Sequence, residues 1–495
     1  MAAAAVAAFS LGLRNELFGD DLHLLVRRLG GLGLGDVPSL FGQGWWGELA
    51  QARHYRPLVL GFLGVERVGF GDAVLPYHAV SLALHAACSV LVWRVLQRLG
   101  FAAAALGAAL LFAVHPIHAE AVLPAYGQAD LLAALATLLS LERYVAFSRR
   151  QAGRGALAVS YLCFLLGLGC KESAAVLPAL VVLTRGLLLR PEARGVGRWL
   201  GAAELGYALP LLAYLGVRFA VLGRLVPASE VTVSHGFPLA LRVKTVLVSL
   251  AHDVRLAVLP TDQTIRHTGL SRRLAGSGTL EATWLALAML GLALSTRVLP
   301  PRCVAWAVGW FAVSVAPVAG IVPLPVLVSE RNLYLPALAP VLLVALLLQR
   351  LGAAAPRLAR ALLVALVLAG LAASVRVTWT WRNPVSLWQE AVRIYPDDPL
   401  MWVWLGGAWV RRAEAAGSVA DPPALAEARA AYDRALALHP DVVEAQVGRA
   451  GVAFLEGDCA TALGLLEALP DSSAGPGPHA GRGWFLEQRR RCSEP

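Results

Sequence analysis

Apolar residues along this chain gather in long runs, separated by polar joints in which arginine recurs. Runs of this kind approach the roughly 20 residues an α-helix needs to cross a bilayer. From Val74 onward they predict spans near 74–93, 101–114, 129–147, 156–170, 173–189, 199–221, 280–296, 303–319, 333–349 and 361–377. Met1 to Leu13 is apolar, too short to span comfortably and without the basic flank of a signal peptide; it is expected to be a short or truncated first span. The total is then about eleven helices. Residues 15–71 read as a large loop with short interfacial helices, with Trp45 and Trp46 suited to the headgroup layer. The stretch 222–279 includes the apolar Val243–Leu259, but Lys244, His252, Asp253 and Arg255 interrupt it. A re-entrant or surface-lying helix is expected there.

Arginine placement orders these spans. The joints holding Arg94/Arg98, Arg149/Arg150/Arg154, Arg185/Arg190/Arg194/Arg198, Arg297/Arg302 and Arg350/Arg357/Arg360 all fall on one side. The alternate joints, 115–128, 170–172 and 320–332, are nearly free of Lys and Arg. The positive-inside rule makes the arginine-rich side cytoplasmic. Asp20-Asp21, the loop from His115 to Asp130, Lys171-Glu172, Glu330-Arg331 and the C-terminal tail are then extracytoplasmic.

Composition agrees with this class. Of 495 residues, 57% are hydrophobic and 15% charged, as in a polytopic membrane protein of all-α type. The net charge of +10 resides in the joints, so it reports topology and not a nucleic-acid partner. The six cysteines show no metal-ligand spacing; Cys459 and Cys492 could pair in an extracytoplasmic tail.

After Arg376 the pattern turns polar, Ala-rich and helical in period. Tyr395-Pro396-Asp397 and His439-Pro440-Asp441 end similar segments, and Trp404-Leu405-Gly406 is echoed by Val447-Gly448-Arg449-Ala450. Removing a loop near Gly417 to Pro423 brings the spacing to roughly 34 residues, the tetratricopeptide (TPR) length. The expected organisation is a transmembrane domain over 1–377, TPR-like repeats over 378–470 and a disordered tail over 471–495.

No nucleotide-binding or zinc-hydrolase motif stands in a fitting context. What remains is a set of ionisable groups at the outer membrane boundary, where they are costly and mark function. Asp20, Asp21 or Glu120 could act as general base on an acceptor hydroxyl. Arg56 and Arg331 could hold a phosphate through paired hydrogen bonds. His115, His118 and Glu120 could orient the base or bind a divalent ion. Asp130 and the Lys171-Glu172 pair would support the site. Two structural alternatives stand beside these roles: Arg331 pairing with Glu330, and Lys171-Glu172 forming a buried ion pair between helices. His78 and His85 read as packed polar contacts.

Seven motifs in order carry a resemblance: Phe18-Gly19-Asp20-Asp21, His54-Tyr55-Arg56-Pro57, Tyr77-His78 through His85, His115-Pro116-Ile117-His118-Ala119-Glu120, Gly127-Gln128-Ala129-Asp130, Cys170-Lys171-Glu172-Ser173 and Glu330-Arg331-Asn332-Leu333-Tyr334. With the TPR-like tail, the chain resembles the transmembrane and TPR-repeat-containing protein O-mannosyltransferases and their bacterial relatives. The resemblance implies a GT-C glycosyltransferase bundle of about eleven helices followed by a short TPR-like array. It implies a polyprenyl-phosphate monosaccharide donor, with mannose as the sugar, and protein hydroxyls outside the cytoplasm as acceptors. No cofactor is implied, though a divalent metal remains open. The family's catalytic acid maps onto Asp20 or Asp21, although Gly19 stands where an aromatic is usual. The Ala/Arg/Gly/Leu-rich composition suggests a high-GC bacterium and a periplasmic outer face; in a eukaryote this would be the ER lumen. A non-catalytic TPR scaffold and a polyprenyl-linked polysaccharide ligase are the alternative readings.

Overall fold

The computed structural model describes residues 1–47, 54–190, 192, 195–225, 238–267, 279–320, 328–415 and 421–467. Among them all regular structure is helical. The chain divides into two compact units, Met1–Trp379 and Thr380–Pro495.

The first unit begins with α1 (Ala2–Phe9), α2 (Pro57–Phe70) and α3 (Val74–Leu99), followed by α4 (Ala102–Ala113), α5 (Ala119–Val122), α6 (Gln128–Ser148), α7 (Arg154–Cys170) and α8 (Leu177–Thr184). Among the described residues, five of its helical segments are long and apolar enough to cross a membrane: Val74–Leu99, Ala125–Ser148, Glu172–Leu189, Ala202–Leu222 and Pro356–Thr380. Five shorter apolar helices accompany them. The chain is therefore an all-α polytopic membrane protein.

A sixth long element is broken. Ala102–Ala113 and Pro116–Val122 meet at 53°. His115-Pro116 causes the break: the residue before proline is held extended, with φ −75° and ψ 121°, and the His115 ring accepts the Ile117 N–H at 3.3 Å. Small residues close the bundle beside it. A Cβ on Gly167 would lie 3.2 Å from that of Ala174 and 3.3 Å from that of Ala136, so α6 and α7 approach closely. Ser140 and Ser160 exchange hydrogen bonds across the same seam.

The segment before α2 is a folded layer with its own core. Leu24, Leu25, Leu29, Leu40 and Trp45 pack on Val59, Leu60 and Leu63 of α2 and on Tyr77, Tyr126 and Ala129. Trp45, expected at the headgroup layer, is instead enclosed by protein at 2% exposure. Arg28 donates to its carbonyl, and its N–H reaches the carbonyl of His54. This layer presses residues 18–21 and 54–56 onto the ends of α6 and α7.

The helix Leu239–Val258 is not among those apolar enough to span. Its Val248 and Leu256 pack with Ile117, Leu333 and Ala337, so it braces residues 328–337 from behind. Residues 226–237 and 268–278 of the expected re-entrant stretch lie outside the described residues.

The second unit consists of helices Pro384–Ile394, Pro399–Ala415, Pro422–Leu438, Val443–Leu455 and Cys459–Glu467. Three open on proline, whose fixed φ suits the first helical position. The echo of Gly406 by Gly448 has a single cause, Tyr432. A Cβ on Gly406 would lie 2.8 Å from its ring and one on Gly448 2.3 Å, so both positions must be small. The tail from Asp471, and with it Cys492, lies outside the described residues.

Candidate active site

Gly19 turns the chain with φ +58°, a conformation L side chains rarely adopt, and this separates the two following carboxylates. Asp21 turns inward and is 2% exposed. Its Oδ1 accepts the Tyr126 N–H at 2.7 Å and its Oδ2 the Ala125 N–H at 3.1 Å. Burial raises its pKa to about 7; the two backbone donors oppose that rise and the neighbouring Asp20 adds to it. Both oxygens of Asp21 are therefore occupied in holding the turn before α6. Asp20 stays half-buried, and among the described residues it makes no hydrogen bond.

The held turn presents Tyr126 to Arg331. The guanidinium lies over the phenol ring, 4.9 Å from its centroid. Glu120 fixes the other side: Oε1 accepts the Ser329 hydroxyl at 2.8 Å, Oε2 accepts the Arg331 N–H at 3.0 Å, and Arg331 Nε stands 3.8 Å from Oε1. Burial disfavours the Arg331 charge, but the surroundings of Tyr126, Glu120, Asp130 and Asp20 more than restore it, raising its pKa. Asp20 is thus close enough to Arg331 and Tyr126 for its charge to be felt at both.

A second cationic cluster adjoins the first. Glu172 accepts Arg56 Nε at 2.8 Å and Arg218 Nη1 at 3.2 Å, with His54 Nδ1 at 3.3 Å. Arg56 also lies 5.4 Å from the Trp45 ring centroid. Burial lowers the His54 pKa against the pull of Glu172. Lys171, next in sequence, faces elsewhere: Nζ binds Asp130 Oδ1 at 2.5 Å and Asn332 Oδ1 at 3.3 Å. Lys171 reaches Asn332, next to Arg331, while Glu172, next to Lys171, holds Arg56, so the two clusters adjoin. Lys171 and Glu172 therefore do not pair with each other; each holds a different part of the site.

Between α6 and residues 331–336 a cavity of about 30 Å³ opens behind Arg331 and Asp130. Its walls include Thr137 and Ser314, whose buried hydroxyls lack hydrogen-bond partners. Space of that order admits water.

Two expected residues do not join the site. His118 is fully buried among Phe112, Tyr334 and His85, and neither ring nitrogen has a side-chain hydrogen-bond partner. His115 is held by backbone on two sides, the Ile117 N–H of its own turn and the backbone of Ala257, with its ring centroid 5.7 Å from that of His118. Glu120 faces Ser329 and Arg331, away from both. As ligands for a divalent ion these three do not fit, and among the described residues no three His, Cys, Asp or Glu side chains converge on a metal position. Glu330 is not the partner of Arg331; it accepts from Gln263 Nε2 and the Thr264 N–H, both at 2.7 Å, and lies 3.2 Å from His267 Nε2.

Four members were given no role in the sequence reading: Tyr126, Ser329, Asn332 and Arg218. Arg218 carried a signal, a lone charge inside an apolar run. Asn332 stood inside one of the seven motifs without a role of its own, and Tyr126 and Ser329 carried none.

No protein-family profile matches the chain, and no solved structure does. Curated proteins do. Drosophila melanogaster protein O-mannosyl-transferase Tmtc2 is 36% identical over 161 residues, 30% of this chain and 17% of that protein. Protein O-mannosyl-transferase Tmtc1 of the same fly is 30% identical over 166 residues, 31% of this chain and 18% of its own length. Human protein O-mannosyl-transferase TMTC4 is 33% identical over 171 residues, 31% of this chain and 23% of its own length. The matched stretch thus spans less than a quarter of each of these relatives. Over about three-tenths of its length, the chain is related in sequence to the TMTC-type protein O-mannosyl-transferases.

Proposed function

We propose that the membrane unit is a glycosyltransferase of GT-C type that moves a monosaccharide, mannose, from a polyprenyl-phosphate donor to hydroxyl groups of proteins on the extracytoplasmic face. The observation that carries this reading is the arrangement around Tyr126: Arg331 lies over its ring, Asp21 holds its N–H, and the next carboxylate in sequence, Asp20, stays half-buried. Asp20 takes the proton of the acceptor hydroxyl as its oxygen bonds to sugar C1. The C1–O bond to phosphate breaks, and the polyprenyl phosphate leaves with the electron pair. Arg331 stabilises the charge that grows on the phosphate oxygens, a task for a fork of donors already aimed before reaction. Asp21 and Glu120 are positioning residues, one holding Tyr126 and the other the backbone of Arg331. Arg56 and Arg218, shared by one Glu172, leave excess positive charge where an anionic donor would approach.

The names of the relatives and the arginine-poor joints of the outer face support the same reading. The helical pairs of the second unit have TPR-like spacing, and we assign them to acceptor engagement. The test is glycoproteomics of cells lacking the protein, complemented with wild type, Asp20→Asn or Arg331→Ala. Sites of O-linked hexose should vanish on deletion and return only with wild type. Their return with both variants would favour a non-catalytic scaffold instead.

A further inference from the structure

The opposite end of α6 carries a second constructed surface. The helix is 21 residues long, so its two ends lie about 31 Å apart at 1.5 Å per residue. At its C-terminal end a cavity of about 560 Å³ is lined by Arg150, Arg154, Arg185 and Arg190 against a single acid, Glu204. The side chains of Arg150, Arg154 and Arg190 make no hydrogen bond or ion pair among the described residues. Arg185 donates to Glu204 Oε1 and to the Gly197 carbonyl, yet its Nε is buried without a partner. The helix α7 starts at Arg154 without a side-chain cap, so the positive end of its dipole opens on the same space.

Arg150 occupies this place against its backbone preference. Its φ is +57°. Its N–H bonds the Phe147 carbonyl and the Gln151 N–H the Ala146 carbonyl, the pattern that closes a helix through a left-handed residue. Glycine is the usual occupant there, and any other residue costs stability. The candidate active site makes no use of this arginine.

An apolar groove of about 540 Å³ adjoins the basic cavity and shares Glu204 as a wall. Val182, Leu183, Leu205 and Leu211 line it, and Trp199, with Arg198 over its ring, stands at its edge. A basic cup next to an apolar groove at a helix end, with Glu204 as their common wall, matches one class of ligand: an acyl-chain lipid with an anionic phosphate headgroup.

We infer that this pair of cavities binds an anionic phospholipid, its headgroup among Arg150, Arg154 and Arg190 and an acyl chain along Leu183, Leu205 and Leu211. This assignment does not depend on the transferase reading.

Native mass spectrometry of the full chain in non-ionic detergent tests it, with long-chain phosphatidylglycerol, phosphatidylcholine or inorganic phosphate added. Wild type should retain phosphatidylglycerol over phosphatidylcholine, and inorganic phosphate should not displace it. Each arginine near a charged headgroup is worth about fivefold in binding, so Arg150→Gln/Arg154→Gln/Arg190→Gln should lose that preference by tenfold or more. Arg150→Gly separates recognition from folding: it should melt no lower than wild type while retaining less phosphatidylglycerol. Equal retention of the two lipids by wild type, or unchanged retention in the triple variant, would overturn the inference. Displacement by inorganic phosphate would also overturn it, reassigning the cup to a free anion.

Discussion

Glu330 and Arg331 are adjacent in sequence and face opposite ways. Glu330 is bound by Gln263, Thr264 and His267, whereas Arg331 lies over Tyr126 and beside Glu120. Substitutions at the two positions should therefore separate. Arg331→Ala should reduce transfer by roughly a hundredfold or more, the scale of losing a preorganised donor, and should also lower the melting temperature, because buried Glu120 loses its cation. Arg331→Lys keeps the charge without the fork and should recover only part of the rate. Glu330→Gln should lower the melting temperature and leave more activity than Arg331→Ala. Equal loss of activity and of Tm in Glu330→Gln and Arg331→Ala would mean the two residues act as one structural unit.

The two aspartates should separate as well. Asp20→Asn removes the proposed base, and turnover should fall by roughly a hundredfold or more with the fold intact. Asp21→Asn turns one acceptor into a donor facing a backbone N–H. It should cost about 1–3 kcal/mol of stability, the penalty of leaving a buried polar group unsatisfied. Single-turnover rates and thermal melts on both variants check this, and wild-type turnover in Asp20→Asn would exclude it as the base.

Asp21 also makes a pH prediction. Burial raises its folded pKa to about 7, above the ordinary value of 3.8. Between those values the folded state holds a proton that the unfolded state has lost, so this group's contribution to stability falls as pH rises through the window and levels above it. Melting temperature followed from pH 5 to pH 8 should show that decline in wild type and a smaller one in Asp21→Asn. Parallel curves would place the titration elsewhere.

Lys171 and Asp130 are a buried pair, 9% and 8% exposed at their side chains. Removing one partner should be worse than removing both. Lys171→Ala leaves Asp130 uncompensated and should cost about 3–5 kcal/mol, while Lys171→Met with Asp130→Leu should recover much of the melting temperature. A double variant no more stable than the single would show that the pair is not what holds this seam.

His118 offers the reverse case. Its ring is fully buried, and its nitrogens meet only the backbone of Phe112 and Tyr334, without a side-chain partner. His118→Phe fits the same aromatic surroundings and should match or exceed the wild-type Tm with activity retained. Loss of activity in a well-folded His118→Phe protein would restore this histidine to the reaction.

The helical, membrane-spanning character was legible because apolar runs and arginine joints are one-dimensional signals. The break at His115-Pro116 was legible too, since the residue before proline leaves the helix wherever the rest of the chain goes. Side-chain direction was not. Asp20 and Asp21 are chemically equal on paper, and only the distant amides of Ala125 and Tyr126 select one of them. Adjacency suggested Glu330 for Arg331 and Glu172 for Lys171; in both cases the partners come from segments far away in sequence. Trp45 looked interfacial by type and is covered because residues 22–45 fold back onto α2.

The long reach of these contacts bears on how the protein is made. Asp21 meets its amides across 104 and 105 positions, and Glu120 meets the Arg331 N–H across 211. A nascent chain inserted only as far as α8 already holds Asp20, Asp21 and Tyr126 but lacks the guanidinium and the hydroxyl of Ser329. Until the ribosome has released Tyr334, Glu120 has neither of those partners. The half-built chain thus holds Asp20 and Tyr126 without Arg331, and the set of contacts around Tyr126 and Glu120 closes only when residues 329–331 join it.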